Sequence, residues 1–156
     1  MANTYLFKEK QKFTQWWLWL LLIGILAIVL FGFYGAYQED KLDFWAVFFS
    51  LGIFIPILIL FYLLRLLTLV KADGIYVRFY PFHRKWKFYA WKEIEEAKVV
   101  TYKPLLDYGG WGIRYGRKGK AYNVKGNQGL QIHFKSGKNL LIGTQKPEEL
   151  EKVINP

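Results

Sequence analysis

Cysteine is missing from all 156 residues, which excludes a disulfide framework, a thiolate metal site and a cysteine nucleophile. Histidine is almost missing. His83 and His133 are the two present, without the close spacing of metal ligands, so no metal is expected. Carboxylates suited to paired acid and base work are lacking as well: Glu93, Glu95 and Glu96 share one turn, and Asp107 has no histidine near it in the chain. Ser136 lies in a turn without a nucleophile elbow. These absences predict a chain that is not an enzyme, with no cofactor and no small-molecule substrate.

Charge is absent from two long stretches, Phe13 to Gln38 and Phe44 to Leu64. About 20 apolar residues suffice to cross a hydrocarbon layer roughly 30 Å thick, so spans are predicted at Trp16–Tyr37 and Phe44–Leu64. Lys8, Lys10 and Lys12 resemble the start of a secretory signal, but the apolar stretch is too long and no small-x-small site follows it. The short turn "QEDKLD" between the spans predicts an antiparallel hairpin. Lysine and arginine flank the outer ends of the pair while acids dominate the turn, which orients both termini toward the cytoplasm. Gly32 with Ala36, and Ala46 with Ser50, form small-xxx-small pairs expected to let the two helices pack closely. Neither span contains an acidic or basic side chain, which argues for an anchor rather than a transport path.

From Lys71 onward, apolar runs give way to alternation, the pattern of half-buried strands. "GIYVRFYP" sets Ile75, Val77 and Phe79 on one face. "RKWKFYAW" alternates Trp86, Phe88 and Ala90 against Lys85, Lys87 and Tyr89, and "EEAKVVTY" follows with Ala97, Val99 and Thr101. Two short strands are expected around Gly112–Tyr115 and Lys120–Val124, joined by "GRKG". "GLQIHF" turns Leu130, Ile132 and Phe134 inward and Gln131 and His133 outward, and "LLIG" completes a set of seven antiparallel strands. Leu150, Val153 and Ile154 then form one helical stripe, with Pro147 in its first turn and Glu148 and Glu149 near the positive end of the helix dipole. The predicted fold class is an α+β membrane protein: a helical hairpin at residues 1–70, and at residues 71–156 a small seven-stranded antiparallel split barrel capped by a C-terminal helix.

Several runs carry a family resemblance: Trp91, Glu93 and Ile94 in a "W-x-E-I" corner, Gly110 to Arg114 in "GWGIR", Ala121–Tyr122, Gly126 to Leu130, and Ile142 to Leu150 in "IGTQKPEEL". In these the chain resembles small bacterial membrane proteins with a pleckstrin-homology-like (PH-like) domain after two transmembrane helices. That resemblance implies a PH-like fold and a bacterial inner-membrane location. Fold alone assigns no activity.

The glycine-rich stretch "YGGWGIRYGRKGKAYNVKG" invites comparison with phosphate cradles. Gly110, Gly112 and Gly116 are spaced one residue too long for the dinucleotide fingerprint, and strand-like sequence follows instead of a helix. The stretch is therefore read as hairpins whose turns require glycine. Its basic tip is one part of a wider excess: lysine and arginine outnumber acids by 22 to 12, and the formal net charge is +10. Interleaved rings and cations in "RFYPFHRKWKFYAW" would also suit nucleic acid, but the anchor and the alternation argue against it. Two binding roles remain. The first, preferred because an already anchored domain gains little membrane residence from weak headgroup contacts, is a docking or stabilising subunit of a larger membrane assembly, its partner another membrane protein or a further copy of the chain. The second is anionic lipid headgroup binding through Arg84, Lys85, Lys87, Arg117 and Lys118.

Overall fold

The computed structural model describes residues 5–155; positions 1–4 and 156, at the outer ends of the two expected segments, lie outside the described residues. The chain divides into a helical unit, Thr14–Leu63, and a sheet unit that joins residues up to Phe13 with Leu64 onward.

In the helical unit, α1 (Trp16–Gln38) and α2 (Phe44–Leu63) match the predicted spans closely. The Asp43 side chain accepts a hydrogen bond from the Trp45 N–H at 3.0 Å, satisfying one donor that the start of α2 leaves open. A core helix of a soluble protein is mostly buried. The most apolar windows of α1 and α2 are 6% and 0% buried, and both helices are long and apolar enough to cross a membrane. A Cβ placed on Gly32 meets nothing within 4 Å, so among the described residues no other segment of the chain packs closely there. Ala46 is exposed, and Ala36 and Ser50 are half-buried.

Among the described residues the sheet unit holds nine strands in two sheets, so the expected seven-stranded antiparallel barrel is corrected in number, pairing and closure. The first sheet is a meander of β1 (Phe7–Lys12), β2 (Arg65–Lys71), β3 (Gly74–Tyr80) and β4 (Lys87–Ala90). The second contains β5 (Ile94–Thr101), β6 (Gly112–Gly116), β7 (Gly119–Asn123), β8 (Gln128–Phe134) and β9 (Asn139–Gly143), in the order β5-β8-β9-β7-β6, with β7 and β9 parallel. Two strands precede the seven expected, and the sheet unit begins before Lys71. The helical hairpin is thus an insertion between two strands that pair from Phe7 opposite Val70 through Lys12 opposite Arg65.

Alternation builds the inner face of the first sheet. Leu66, Val70, Ile75 and Val77 are fully buried and Phe79 almost so. At about 25 cal/mol per Å² of apolar surface removed from water, each such side chain contributes on the order of 1.5–3 kcal/mol. β1 contributes Phe7 with two polar residues, Glu9 and Gln11. These are buried because β9 and the segment after it supply partners. The Thr144 hydroxyl donates to Glu9 Oε2 at 2.7 Å, the Gln145 N–H to Oε1 at 2.8 Å, and Gln11 Nε2 to the Gly143 carbonyl at 2.6 Å. Burial raises the Glu9 pKa, and these hydrogen bonds and Lys146 only partly oppose it.

The helix α4 (Pro147–Ile154) forms as its stripe predicts and buries Leu150. Two helical segments were not expected, a 3-10 turn at Trp91–Glu93 and α3 (Pro104–Tyr108), which ends on Gly109 in the left-handed region and packs against the second sheet. α3 is the longer. It lies so close to β6 that a Cβ on Gly116 would collide with the Asp107 carbonyl. It also covers Gln131, whose side chain is buried and accepts from the Tyr108 hydroxyl at 3.3 Å; the outward, solvated position expected for Gln131 is corrected accordingly. His133 remains half-exposed beside Asn139.

Candidate functional site

Two places in the sheet unit gather cations without gathering acids. The first is one end of the β1–β4 sheet. Register aligns Lys12, Arg65 and Tyr80 in one row across β1, β2 and β3, and Lys10, Leu67 and Arg78 in the next. Because partners across antiparallel strands project to the same face, these side chains share the outer face, while Glu9, between Lys8 and Lys10, points inward. Tyr80 is stacked by two guanidinium groups, Arg65 at 5.8 Å and Arg78 at 5.5 Å from the ring centroid.

The same end carries the loop from Pro81 to Trp86. Its base is tied by the His83 N–H donating to the Phe79 carbonyl at 2.7 Å, and by Arg78 Nε donating to the His83 carbonyl at 3.3 Å. The His83 ring accepts from the Phe79 N–H through Nδ1 at 3.3 Å. Burial, then Lys87 and Lys120, lower its pKa, which favours the neutral ring that can accept. Beyond this base the loop is open: Phe82 is 60% exposed, Trp86 is 38% exposed, and Arg84 and Lys85 are exposed. Alternation alone suggested Trp86 and Phe88 as core rings. Instead both are exposed, and Phe88 stacks on Tyr76 of the outer face at 4.7 Å between centroids. Chain connectivity gives this end its significance. At Lys12 the chain leaves β1 for α1, and at Arg65 it begins β2 directly after α2.

The second place is a cavity of about 670 Å³ among β4, the β6–β7 hairpin and the β8–β9 turn. Tyr89, Tyr115 and Phe134 supply aromatic walls, and Arg117, Lys120 and Lys138 supply cations. Lys120 Nζ lies 4.9 Å over the Tyr115 ring and 5.0 Å over the Tyr122 ring. Burial works against its charge, but hydrogen bonds to the two tyrosines prevail and its pKa is raised. In return the Tyr115 phenol is lowered, chiefly by its hydrogen bond with Lys120. Burial raises the Tyr89 phenol, with Tyr122 adding to the effect.

The five basic residues marked by sequence are not brought together. Arg84 and Lys85 sit on the open loop. Lys87 points to the inner side, where Nζ donates to the Tyr122 hydroxyl at 3.1 Å. Arg117 lines the cavity, whereas Lys118 forms an ion pair with Asp107 at 3.2 Å. Lys120 and Lys138 escaped sequence reasoning as site residues because each reads as an ordinary turn cation. Among the described residues no cluster of three or more metal-ligating side chains occurs.

Neither the curated proteins nor the solved structures contain a significant match to this sequence. A family match does exist, and it runs from β1 through α4, so it includes the inserted hairpin and both cationic places. Residues 6–156 match the family of unknown function DUF6141, and the chain belongs to that family.

Proposed function

We propose that the chain is a membrane-anchored, non-enzymatic binding module whose PH-like sheet unit rests on an anionic lipid surface. In this reading α1 and α2 cross a bacterial inner membrane with both termini cytoplasmic, as the distribution of lysine and arginine favours. The observation that carries the reading is the register of the first sheet. It groups Lys12, Arg65, Tyr80 and the loop bearing Phe82, Arg84, Lys85 and Trp86 at the end where the chain enters and leaves the apolar helices. Cations near an anionic leaflet contribute about 1 kcal/mol each, and exposed aromatic rings favour the headgroup layer. An anchored domain gains little residence from such contacts. What it gains is orientation.

The absence of cysteine supplies the test. Single-cysteine variants Lys85→Cys and, as an aqueous reference, Glu95→Cys are labelled in the full chain and reconstituted in nanodiscs of phosphatidylcholine with or without phosphatidylglycerol. Expected is protection of the label at position 85 from an aqueous quencher when phosphatidylglycerol is present, with position 95 unchanged. Equal quenching in both lipids would overturn the reading.

A second reading, a docking or stabilising subunit of a larger membrane assembly, is favoured by α2, which buries no residue of its own, and by the exposed Leu105 and Leu106 of α3. Purification in mild detergent tests it through a stoichiometric companion protein. Charge reversal at Arg84 and Lys85, the two exposed loop cations, leaves such a complex intact while abolishing the lipid contact.

A further inference from the structure

The cavity among β4, β6–β7 and β8–β9 is separate from the open loop, since no residue from Pro81 to Trp86 lines it. It is not an ordinary basic hairpin tip either. Tip cations normally sit in water beside acids or alone, and Lys118, at the same turn, does pair with Asp107. Lys120 is one strand position beyond the tip, half-buried, and held over two tyrosine rings. Arg117 and Lys138 line the same space, and no carboxylate does. Lys87 adds a further positive charge behind it, on the Tyr122 hydroxyl. Three lining cations exceed what a single carboxylate neutralises. A phosphate monoester, with close to two negative charges and three acceptor oxygens, matches them, and guanidinium and ammonium groups are its usual partners. Beside the cations, Tyr89 and Phe134 have ring centroids 5.4 Å apart, and Tyr115 is 74% exposed at the rim. Together they form a surface for a flat or apolar body.

We infer that this cavity binds a phosphate monoester carried on an aromatic or apolar group, the phosphate meeting Arg117, Lys120 and Lys138 and the body lying against Tyr89, Tyr115 and Phe134. The site adds a small-molecule ligand to a chain whose sequence predicts no small-molecule substrate. It does not depend on the lipid contact of the open loop.

The test uses the full chain in phosphatidylcholine nanodiscs, titrated calorimetrically with phenyl phosphate, inorganic phosphate and benzoate. Phenyl phosphate is expected to bind saturably and on the order of tenfold or more tighter than benzoate, the size of one charge-assisted hydrogen bond, and tighter than inorganic phosphate. Lys120→Gln is expected to weaken it by a similar factor and Lys120→Arg to restore most of the loss. Arg117→Glu and Lys138→Glu change exposed side chains and keep the test valid should Lys120→Gln destabilise the fold; each is expected to weaken binding. Arg84→Ala with Lys85→Ala is expected to leave it unchanged, which separates failure of this site from failure of the membrane contact. Repeating the titration with phosphatidic acid in the nanodiscs identifies the source. Competition assigns a lipid phosphate, and undiminished binding assigns a soluble one. No saturable binding of phenyl phosphate, equal affinity for benzoate, or indifference to all three pocket substitutions overturns the inference.

Discussion

Ile28, near the middle of α1, keeps 74% of its surface uncovered, whereas Leu66 in β2 keeps none. Both are aliphatic side chains in strongly apolar segments, yet one unit encloses its apolar residues and the other displays them. In the first sheet, alternation turns every second residue inward, and in the second β7, β8 and β9 bury runs of consecutive residues. In α1 and α2 the apolar surface runs around the whole helix, and a helix of that kind is stable where its surroundings are themselves apolar. The difference fits the proposed membrane anchor, with water around the sheets and an apolar medium around helices long and apolar enough to cross a bilayer.

The comparison can be broken most directly by truncation. Leu66→Ala is expected to cost the sheet unit about 2–5 kcal/mol, and Ile28→Ala less than about 0.5 kcal/mol of the same unfolding transition, both read by denaturant titration in detergent. Similar costs at the two positions would mean that the helices have a protein core after all. Next in size is Ile28→Lys, which adds about 2.5–3.5 kcal/mol to membrane insertion. Its readout is loss of the chain from the pelleted membrane fraction, with Lys85→Glu as a substitution that leaves pelleting unchanged.

A smaller effect sharpens the picture within the sheets. Gly116→Ala forces a methyl group against the Asp107 carbonyl and is expected to cost about 1–3 kcal/mol, visible as a lowered denaturation midpoint. Smallest is a pH effect at Glu9. Its folded pKa is raised above the unfolded value of 4.5, so the protonated form is the one folding favours. The associated stability is fully present below about pH 4.5 and is lost as pH rises through the folded pKa. Melting midpoints taken from pH 4 to 7 are expected to decline on this account, and Glu9→Gln to flatten the decline. An unaltered slope in that variant would remove Glu9 as its source.

The parts of the fold that were legible follow one strong period each. α1 and α2 show as long stretches without charge, β3, β4, β5 and β8 as alternation, and α4 as a stripe with a favourable first turn, while β6, β7 and β9 are short runs set off by the turns that flank them. β1 was hidden because its inward positions are Phe7, Glu9 and Gln11, so no apolar alternation marks "FKEKQK". β2 was hidden by continuity, since "LLRLLTLV" extends the grease of α2 with only Arg65 between. α3 has five residues, too few for a period. The candidate sites divide in the same way. The loop cations Arg84 and Lys85 are neighbours in sequence, whereas Lys120 and Lys138 become part of a cavity only when β7 and β9 run side by side in parallel.

Sequence by itself determined the two long apolar helices, the positive charge, the alternating strands after them and the lack of thiol chemistry, because each depends on composition or on a local period. The tertiary structure alone decided that β1 pairs with β2 across the inserted hairpin, that Glu9 and Gln11 are buried, and that cations from separate turns converge around aromatic walls. Those features depend on contacts between segments far apart in the chain. No local pattern encodes which partner will satisfy a buried carboxylate or which turns will meet.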